Sequence, residues 1–131
     1  MEQDNPTLRY SDEHLWFRRE DSHVTIGVTE KIARILTIVS FVQLPAPGAQ
    51  LAAGDEVAVI ESQKATIWVA APLPLQIVAV NDEVTNDPML VRTESYGSGW
   101  LIQAQLEDDG WERLLDATAY ASVTTEIREK R

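Results

Sequence analysis

Lys64 stands out as the residue whose type and surroundings could support covalent chemistry. The chain has three lysines, Lys31, Lys64 and Lys130. Within residues 57–80 the only charged side chains are those of Glu61 and Lys64. Burying an unpaired charge is costly, so the lysine must reach water or a partner. The sequence therefore predicts an amine that projects from the surface, although an ordinary solvated turn residue would show the same pattern.

A β-hairpin is the simplest element that would position this amine. Residues 57–60 and 66–71 are apolar runs of strand length, rich in β-branched side chains. The polar segment 62–65 between them is short enough for a tight turn. We predict that Lys64 lies at the tip of a hairpin formed by these two strands.

The rest of the chain also reads mainly as short strands. Side chains alternate with a period of two in residues 24–28 and 100–106, as in a half-buried strand, and residues 75–80 form a further apolar run. Clusters of Gly, Pro, Asn and Asp separate these segments about every ten residues, which is typical of a β-sandwich or barrel. The segments 54–57 and 81–84 share the sequence Asp-Glu-Val after Gly or Asn, which suggests one turn used twice.

Two helices are predicted. The first follows Thr29 as N-cap and places Ile32, Ile35 and Leu36 at helical spacing. The second begins near Asp116 and has four residues on one face: Ala119, Tyr120, Val123 and Ile127. The charged residues 128–131 are expected to fray.

Composition narrows the function classes. A chain of 131 residues with 44% hydrophobic and 24% charged residues fits one globular domain. The formal net charge of −10 argues against binding to nucleic acid or to an anionic membrane. The absence of cysteine excludes disulfides and thiolate catalysis. With no secretory signal or membrane-spanning stretch in the sequence, we expect a cytoplasmic monomer.

Glu61-Ser62-Gln63-Lys64-Ala65 followed by Pro72 resembles the lipoylation hairpin of the glycine cleavage system H protein family. Further similar segments are 10–16, 27–29, 41–45, 90–91, 96–101 and 114–120. The resemblance implies a mainly β fold, a lipoyl/biotinyl-type barrel-sandwich hybrid of two antiparallel sheets. A short helix in the N-terminal half and a C-terminal helix would complete it. The carrier domain would span residues 8–127, between tails at 1–7 and 128–131.

The same resemblance implies a non-catalytic carrier with lipoate in amide linkage to Lys64. Lipoate would act as a swinging arm that takes an intermediate or reducing equivalents from one enzyme to another. Glu61 matches a glutamate linked to recognition by lipoate ligase or lipoyl transferase, although it could equally be a solvated charge. Gly48 matches a family glycine, which a turn with positive φ would explain.

Several residues around the hairpin depart from the family pattern. Ile67, Trp68 and Leu75 replace a small polar residue, an acidic residue and a glycine. Leu36-Thr37-Ile38 replaces a stretch that usually contains Gly-Asp, and Arg92 replaces an asparagine. Trp68, together with Ile67, could form an altered partner surface, or Trp68 could pack against the body of the protein.

These departures favour a paralogue similar to the lipoate-binding protein of bacterial sulfur oxidation, which serves a heterodisulfide-reductase-like complex. The alternative is an H protein of the glycine cleavage system that carries the aminomethyl group. Its partners would be glycine decarboxylase, aminomethyltransferase and dihydrolipoyl dehydrogenase.

Other classes have less support. A biotinyl domain usually has methionines beside its lysine, where this chain has Gln63 and Ala65. Asp12, Glu13, His14 and His23 match no metal-ligand or acid–base spacing, so we predict no metal site and no enzyme activity. A scaffold that has lost lipoylation, with Trp68 as a binding anchor, remains a third interpretation.

Overall fold

The computed structural model describes residues 8–130, the last by its backbone alone. The predicted N-terminal tail 1–7 and Arg131 lie outside the described residues. The strands are β1 (Leu8–Tyr10), β2 (Leu15–Glu20), β3 (His23–Val28), β4 (Val39–Gln43), β5 (Gln50–Leu51), β6 (Glu56–Ser62), β7 (Thr66–Ala70), β8 (Leu75–Val80), β9 (Ile102–Leu106) and β10 (Glu129–Lys130). The helices are α1 (Glu30–Ala33), α2 (Asp82–Asn86), α3 (Leu90–Thr93), α4 (Gly110–Arg113) and α5 (Ala117–Tyr120).

Two antiparallel sheets form the body of the protein. One has six strands in the order β1-β2-β3-β9-β8-β5, and the other has four in the order β10-β7-β6-β4. The alternating strands each contribute an apolar face, as in β9, where Ile102 and Ala104 are fully buried. The main core cluster contains residues from both sheets, including Phe17, Ile26 and Ile60. The expected mainly β fold of two antiparallel sheets is confirmed.

The first predicted helix forms, but it is one turn long. Thr29 is its N-cap, and its side chain accepts a hydrogen bond from the backbone N–H of Lys31. Ile32 and Leu36 are buried as the helical spacing predicts. Because α1 ends at Ala33, Ile35 no longer follows the helical face and is 41% exposed.

The predicted C-terminal helix is much shorter than its apolar spacing suggests. Asp116 caps α5 as expected, but α5 ends at Tyr120. Val123 and Ile127 still pack against the two apolar clusters, but from non-helical chain. The expectation that residues 128–131 fray was wrong for Glu129 and Lys130, which pair with β7.

The two similar segments do not form the same turn. Gly54 has a φ of +92° in the turn before β6. Asn81 instead has a φ of −90° and caps α2, where its side chain accepts a hydrogen bond from the N–H of Glu83. The prediction of a repeated turn was therefore wrong, because asparagine serves here as a helix cap. No helix of the described residues is long and apolar enough to cross a membrane.

Candidate functional site: the Lys64 hairpin

β6 and β7 form the predicted hairpin, and Lys64 lies at its tip. The two strands pair from Glu56↔Ala70 to Glu61↔Thr66. Ser62 closes the tip twice: its N–H donates to the carbonyl of Ala65 at 2.8 Å, and its hydroxyl lies 2.9 Å from the same oxygen. No residue of the tip has a positive φ, so the turn needs no glycine. One serine therefore closes the four-residue tip through hydrogen bonds.

A neighbouring strand adds a third restraint. The N–H of Gln63 donates to the carbonyl of Ile38, just before edge strand β4, at 2.9 Å. This bond fixes the residue next to Lys64 against the body of the protein. Three hydrogen bonds, two from Ser62 and one from the N–H of Gln63, therefore hold the backbone from which the Lys64 side chain extends.

The Lys64 side chain itself is exposed. Among the described residues it takes part in no salt bridge, and Glu61, the nearest charged residue along the chain, forms no ion pair with it. An exposed amine without a carboxylate partner is accessible to an acylating enzyme. The residues present therefore fit a prosthetic group joined in amide linkage, which requires an amine that an enzyme can reach.

Glu61 lies on the outer face of the four-stranded sheet. It is exposed, and its register partners are Phe41 on β4 and Thr66 on β7. This position, beside the tip and pointing away from the core, is available to an enzyme that approaches Lys64. Its role in recognition by a lipoylating enzyme stays a prediction.

Gly48 lies in the loop between β4 and β5. Its φ is +87°, a backbone conformation that glycine adopts far more readily than other residues. Its N–H donates to the carbonyl of Ile77 in β8 at 2.8 Å, so the loop is tied to the six-stranded sheet. Gly48 thus has a structural reason to be glycine, and its part in lipoylation also stays a prediction.

The two residues predicted to form a partner surface differ in their exposure. Ile67 is 0% exposed and belongs to the main core, so its assignment to a partner surface was wrong. It faces inward because it alternates with Trp68 along β7. Trp68 is half-buried on the outer face, opposite Val59 of β6.

Trp68 also has a neighbour that sequence reasoning missed. The guanidinium carbon of Arg128 lies 4.6 Å from the centre of the Trp68 ring, and Arg128 forms a salt bridge of 2.6 Å with Glu13. The backbone N–H of Trp68 donates to the carbonyl of Arg128. No local pattern reveals this contact, since residues 68 and 128 are 60 positions apart and the tail looked like a frayed end.

His14 has a structural role. His14 is buried, with Nδ1 at 2.9 Å from the hydroxyl of Tyr120 and Nε2 at 2.7 Å from the carbonyl of Thr125. Both ring nitrogens are thus occupied. Among residues 8–130, no group of three or more His, Asp or Glu side chains could hold a metal ion.

The hydroxyls of Tyr96 and Tyr120, which bond residues at the start of α1, have raised pKa values. Burial raises the pKa of Tyr120 to about 12, although a hydrogen bond with Thr29 partly opposes the effect. Burial also raises the pKa of Tyr96, and its hydrogen bond to Glu30 at 2.5 Å acts in the same direction. Both phenols therefore stay neutral, and they connect α1 to the rest of the body instead of supplying a base.

Fold and site together define a carrier domain: two packed antiparallel sheets that present one accessible lysine on a rigid hairpin. A family model described as "Glycine cleavage H-protein" matches residues 8–127. The chain belongs to the glycine cleavage H-protein family, whose members are non-catalytic and carry lipoate covalently on a lysine.

Individual relatives agree with this assignment. Glycine cleavage system H proteins of Escherichia coli O139:H28 and Salmonella newport are each 45% identical over 118 residues, covering 88% of this chain and 92% of theirs. A crystal structure of a glycine cleavage system H protein from Mycobacterium marinum has a TM-score of 0.79 and 33% identity. It covers 89% of this chain and 95% of its own.

Proposed function

We propose that Lys64 carries the lipoyl group and that the protein is the H protein of a glycine cleavage system. The lipoyl arm would take up the aminomethyl group left after glycine decarboxylation and present it to the next enzyme. The observation that carries this proposal is the exposed, unpaired Lys64 at the tip of a rigid hairpin, in a chain 45% identical to glycine cleavage H proteins.

The chain's own residues supply presentation and not catalysis. Ser62 and the carbonyl of Ile38 hold the backbone of the tip by hydrogen bonds, so the lysine side chain and its attached group extend from an ordered turn. A bound lipoyl group supplies a dithiolane that opens on reduction or on attack by a carbanion, and partner enzymes hold the groups that drive those steps. Rigid strands under a mobile arm let one carrier visit several active sites.

The partners follow from the same proposal. They are a lipoate ligase or lipoyl transferase, glycine decarboxylase, aminomethyltransferase and dihydrolipoyl dehydrogenase. A cytoplasmic location is consistent with these partners. The sulfur-oxidation interpretation, which was favoured on the departures around the hairpin, has no support in the comparisons, and the named relatives favour its alternative.

A reconstituted glycine cleavage assay tests the proposed pathway. The lipoylated protein is mixed with glycine decarboxylase, and exchange of labelled bicarbonate into the carboxyl group of glycine is measured. We expect exchange that depends on lipoylated wild type and is absent with Lys64→Arg. A fully lipoylated wild type that supports no exchange would contradict the pathway and leave only the carrier class.

A further inference from the structure

Met89 is the one methionine among the described residues, and its sulfur has an unusual partner. Sδ accepts a hydrogen bond from the backbone N–H of Val39 at 3.3 Å. A thioether is a weak acceptor, and backbone N–H groups usually bond to oxygen. Val39 begins β4, which is an edge strand of the four-stranded sheet. The sulfur of Met89 therefore helps to hold the first residue of this edge strand.

One peptide unit joins this contact to the hairpin tip. The carbonyl of Ile38 and the N–H of Val39 belong to the same trans peptide, so they point in opposite directions. That carbonyl accepts a hydrogen bond from the N–H of Gln63 at 2.9 Å, and Gln63 directly precedes Lys64. The sulfur of Met89 is thus at one end of a hydrogen-bonded chain that ends beside the functional lysine. Bonds in such a chain strengthen one another, so a loss at one end weakens the other.

The backbone of Met89 is fixed at the start of α3. Its carbonyl accepts hydrogen bonds from the N–H of Arg92 at 3.0 Å and from the N–H and hydroxyl of Thr93 at 2.9 and 3.1 Å. Nε of Arg92 also donates to the carbonyl of Leu36 at 2.9 Å, so α3 contacts the segment before β4 at a second point. A change in the size or polarity of the sulfur must therefore be accommodated by the methionine side chain or by the peptide 38–39.

Oxidation is the chemical change that this thioether can undergo. Met89 is half-buried, so part of its side chain is open to a small oxidant. A peroxide would transfer one oxygen atom to Sδ: the S–O bond forms, the O–O bond breaks, the sulfur loses two electrons, and the peroxide is reduced to water or an alcohol. The new oxygen cannot fit between two atoms that lie 3.3 Å apart. The direct contact of the sulfur with the N–H of Val39 must therefore break or lengthen.

We propose that Met89 is a reversible oxidation site, and that its sulfoxide loosens the hairpin tip and slows acylation of Lys64. The link to acylation rests on the proposed function. A thiol-dependent methionine sulfoxide reductase reverses the change, because two thiols are oxidised to a disulfide and the oxygen leaves as water. Since the chain has no cysteine, neither the oxidant nor the reductant reacts with a thiol of this protein. Lipoylation of the carrier would thereby respond to the concentration of peroxide.

The test treats the unlipoylated protein with dilute hydrogen peroxide, which catalase then removes. Peptide mapping by mass spectrometry locates the added oxygen and separates Met89 from Met1, the other methionine of the chain. We expect one oxygen at Met89, and hydrogen exchange at the Gln63 amide that is roughly threefold to tenfold faster, the factor that one hydrogen bond contributes. The amide of Gly54 is the matched control, because it donates to the carbonyl of Ala71 at 2.8 Å at the open end of the same hairpin.

Two variants separate the effect of the sulfur from general effects of peroxide. Met89→Leu nearly conserves volume and cannot be oxidised, so peroxide should change neither the exchange at Gln63 nor the rate of lipoylation in this variant. Met89→Gln places an amide oxygen one bond beyond the position of the sulfur, so it should show the faster exchange without peroxide. A lipoate ligase then acylates each protein, and intact mass follows the rate. We expect oxidised wild type to be lipoylated severalfold more slowly, and the reductase to restore the rate.

The outcomes separate this inference from the proposed function. A wild type that no lipoate ligase modifies overturns the proposed function, whereas the exchange measurement on unmodified protein still tests the oxidation site. A Met89 that peroxide does not oxidise in the folded protein, or an oxidised wild type with unchanged exchange at Gln63, overturns the inference. An equal response of Met89→Leu to peroxide also overturns it, because another residue would then be the cause. An unchanged rate of lipoylation after oxidation overturns the link to Lys64.

Discussion

At the scale of the residue, Ser62 controls the position of the functional lysine. Its hydroxyl donates to the carbonyl of Ala65 and accepts from the N–H of Ala65, while its own N–H donates to that same carbonyl. One side chain thereby replaces the glycine that tight hairpin turns often need. The sequence alone predicted the hairpin and its tip from charge placement, but not this clamp, since serine is common in any turn.

Removing the serine hydroxyl should loosen the tip without unfolding the protein. We expect Ser62→Ala to lower the free energy of unfolding by about 1 kcal/mol, the usual net value of such hydrogen bonds. The rate of lipoylation should also fall, while Ser40→Ala, whose hydroxyl bonds only the carbonyl of Glu61 at 3.3 Å, serves as the control. Urea unfolding and time-resolved intact mass measure the two effects. Identical lipoylation rates in both variants would show that the clamp is not needed.

Tyr120 gives the protein a predictable response to alkaline pH. Its hydroxyl contacts Nδ1 of His14 and the hydroxyl of Thr29, and burial raises its pKa to about 12. In the unfolded chain this phenol ionises near its ordinary pKa of 10.0. Between these two values the folded state retains a proton that the unfolded state loses. Stability must therefore fall as the pH rises above about 10.

Tyr120→Phe should change both the level and the pH dependence of stability. We expect the free energy of unfolding to fall by about 1–3 kcal/mol at neutral pH, because the variant leaves His14 and Thr29 without their buried partner. Between pH 10 and 11 the free energy of unfolding should then fall less in the variant than in wild type. Urea unfolding at pH 8, 10 and 11 measures this. If the free energy of unfolding declined equally in the variant and in wild type, Tyr120 would not be a cause of the loss of stability at alkaline pH.

At the scale of the element, the C-terminal strand β10 is the largest departure from expectation. Charged residues in a tail carry no periodicity, so the sequence predicted fraying. In the structure, Arg128 pairs with Glu13 and stacks on Trp68, while Glu129 and Lys130 cover the edge of β7. These are long-range contacts, which local patterns cannot reveal. Long-range contacts also explain why the helix predicted after Asp116 has only one turn, since Val123 and Ile127 pack against the apolar clusters from non-helical chain.

Deleting residues 128–131 tests whether this strand protects the hairpin. The deletion removes the acceptor of the Trp68 N–H and the pairing partners of Thr66 and Ile67. We expect much faster hydrogen exchange at the Trp68 amide and little change at Ile60 in the centre of the sheet. The point variant Arg128→Ala, which keeps the backbone pairing, should preserve most of the protection. Unchanged exchange in the deletion would show that β10 does not pair stably.

The turn before β9 depends on one glycine. A Cβ on Gly99 would overlap the carbonyl oxygens of Leu90 and Glu94, whereas a Cβ on Gly97 would meet nothing closer than 3.6 Å. Backbone atoms cannot move aside as a flexible side chain can. We expect Gly99→Ala to cost about 3 kcal/mol or more in the free energy of unfolding, and Gly97→Ala less than about 1 kcal/mol. Thermal and urea unfolding compare the two, and equal losses would contradict the close approach at Gly99.

At the scale of the whole molecule, the structure separates a rigid body from an exposed attachment point. Alternation and apolar runs predicted the strands β3, β6, β7, β8 and β9, because such patterns record burial directly, whereas the arrangement in two sheets was implied by the family resemblance. Burial also corrected the site: Ile67 and Trp68 look alike in an apolar run, yet one is core and the other faces outward. The bulge at Ser40 in β4 was not predicted, since no local sequence pattern marks it.

Lipoylation should leave the body unchanged. The Lys64 amine has no ion pair within the described residues, so acylating it breaks no such contact. We expect the melting temperatures of unmodified and lipoylated protein to agree within about 1 °C, since surface changes away from other contacts are nearly neutral. The formal net charge changes from −10 to −11, which anion exchange can resolve. A shift of several degrees would show that the arm packs against the body.

The central claim is that Lys64 is the attachment site, and peptide mapping by mass spectrometry tests it most directly. Wild type, Lys64→Arg and the control Lys31→Arg are each produced together with a lipoate ligase. We predict that wild type and Lys31→Arg gain the mass of one lipoyl amide, located at Lys64, and that Lys64→Arg gains none. An unmodified wild type, or a modification that persists in Lys64→Arg, would contradict the account.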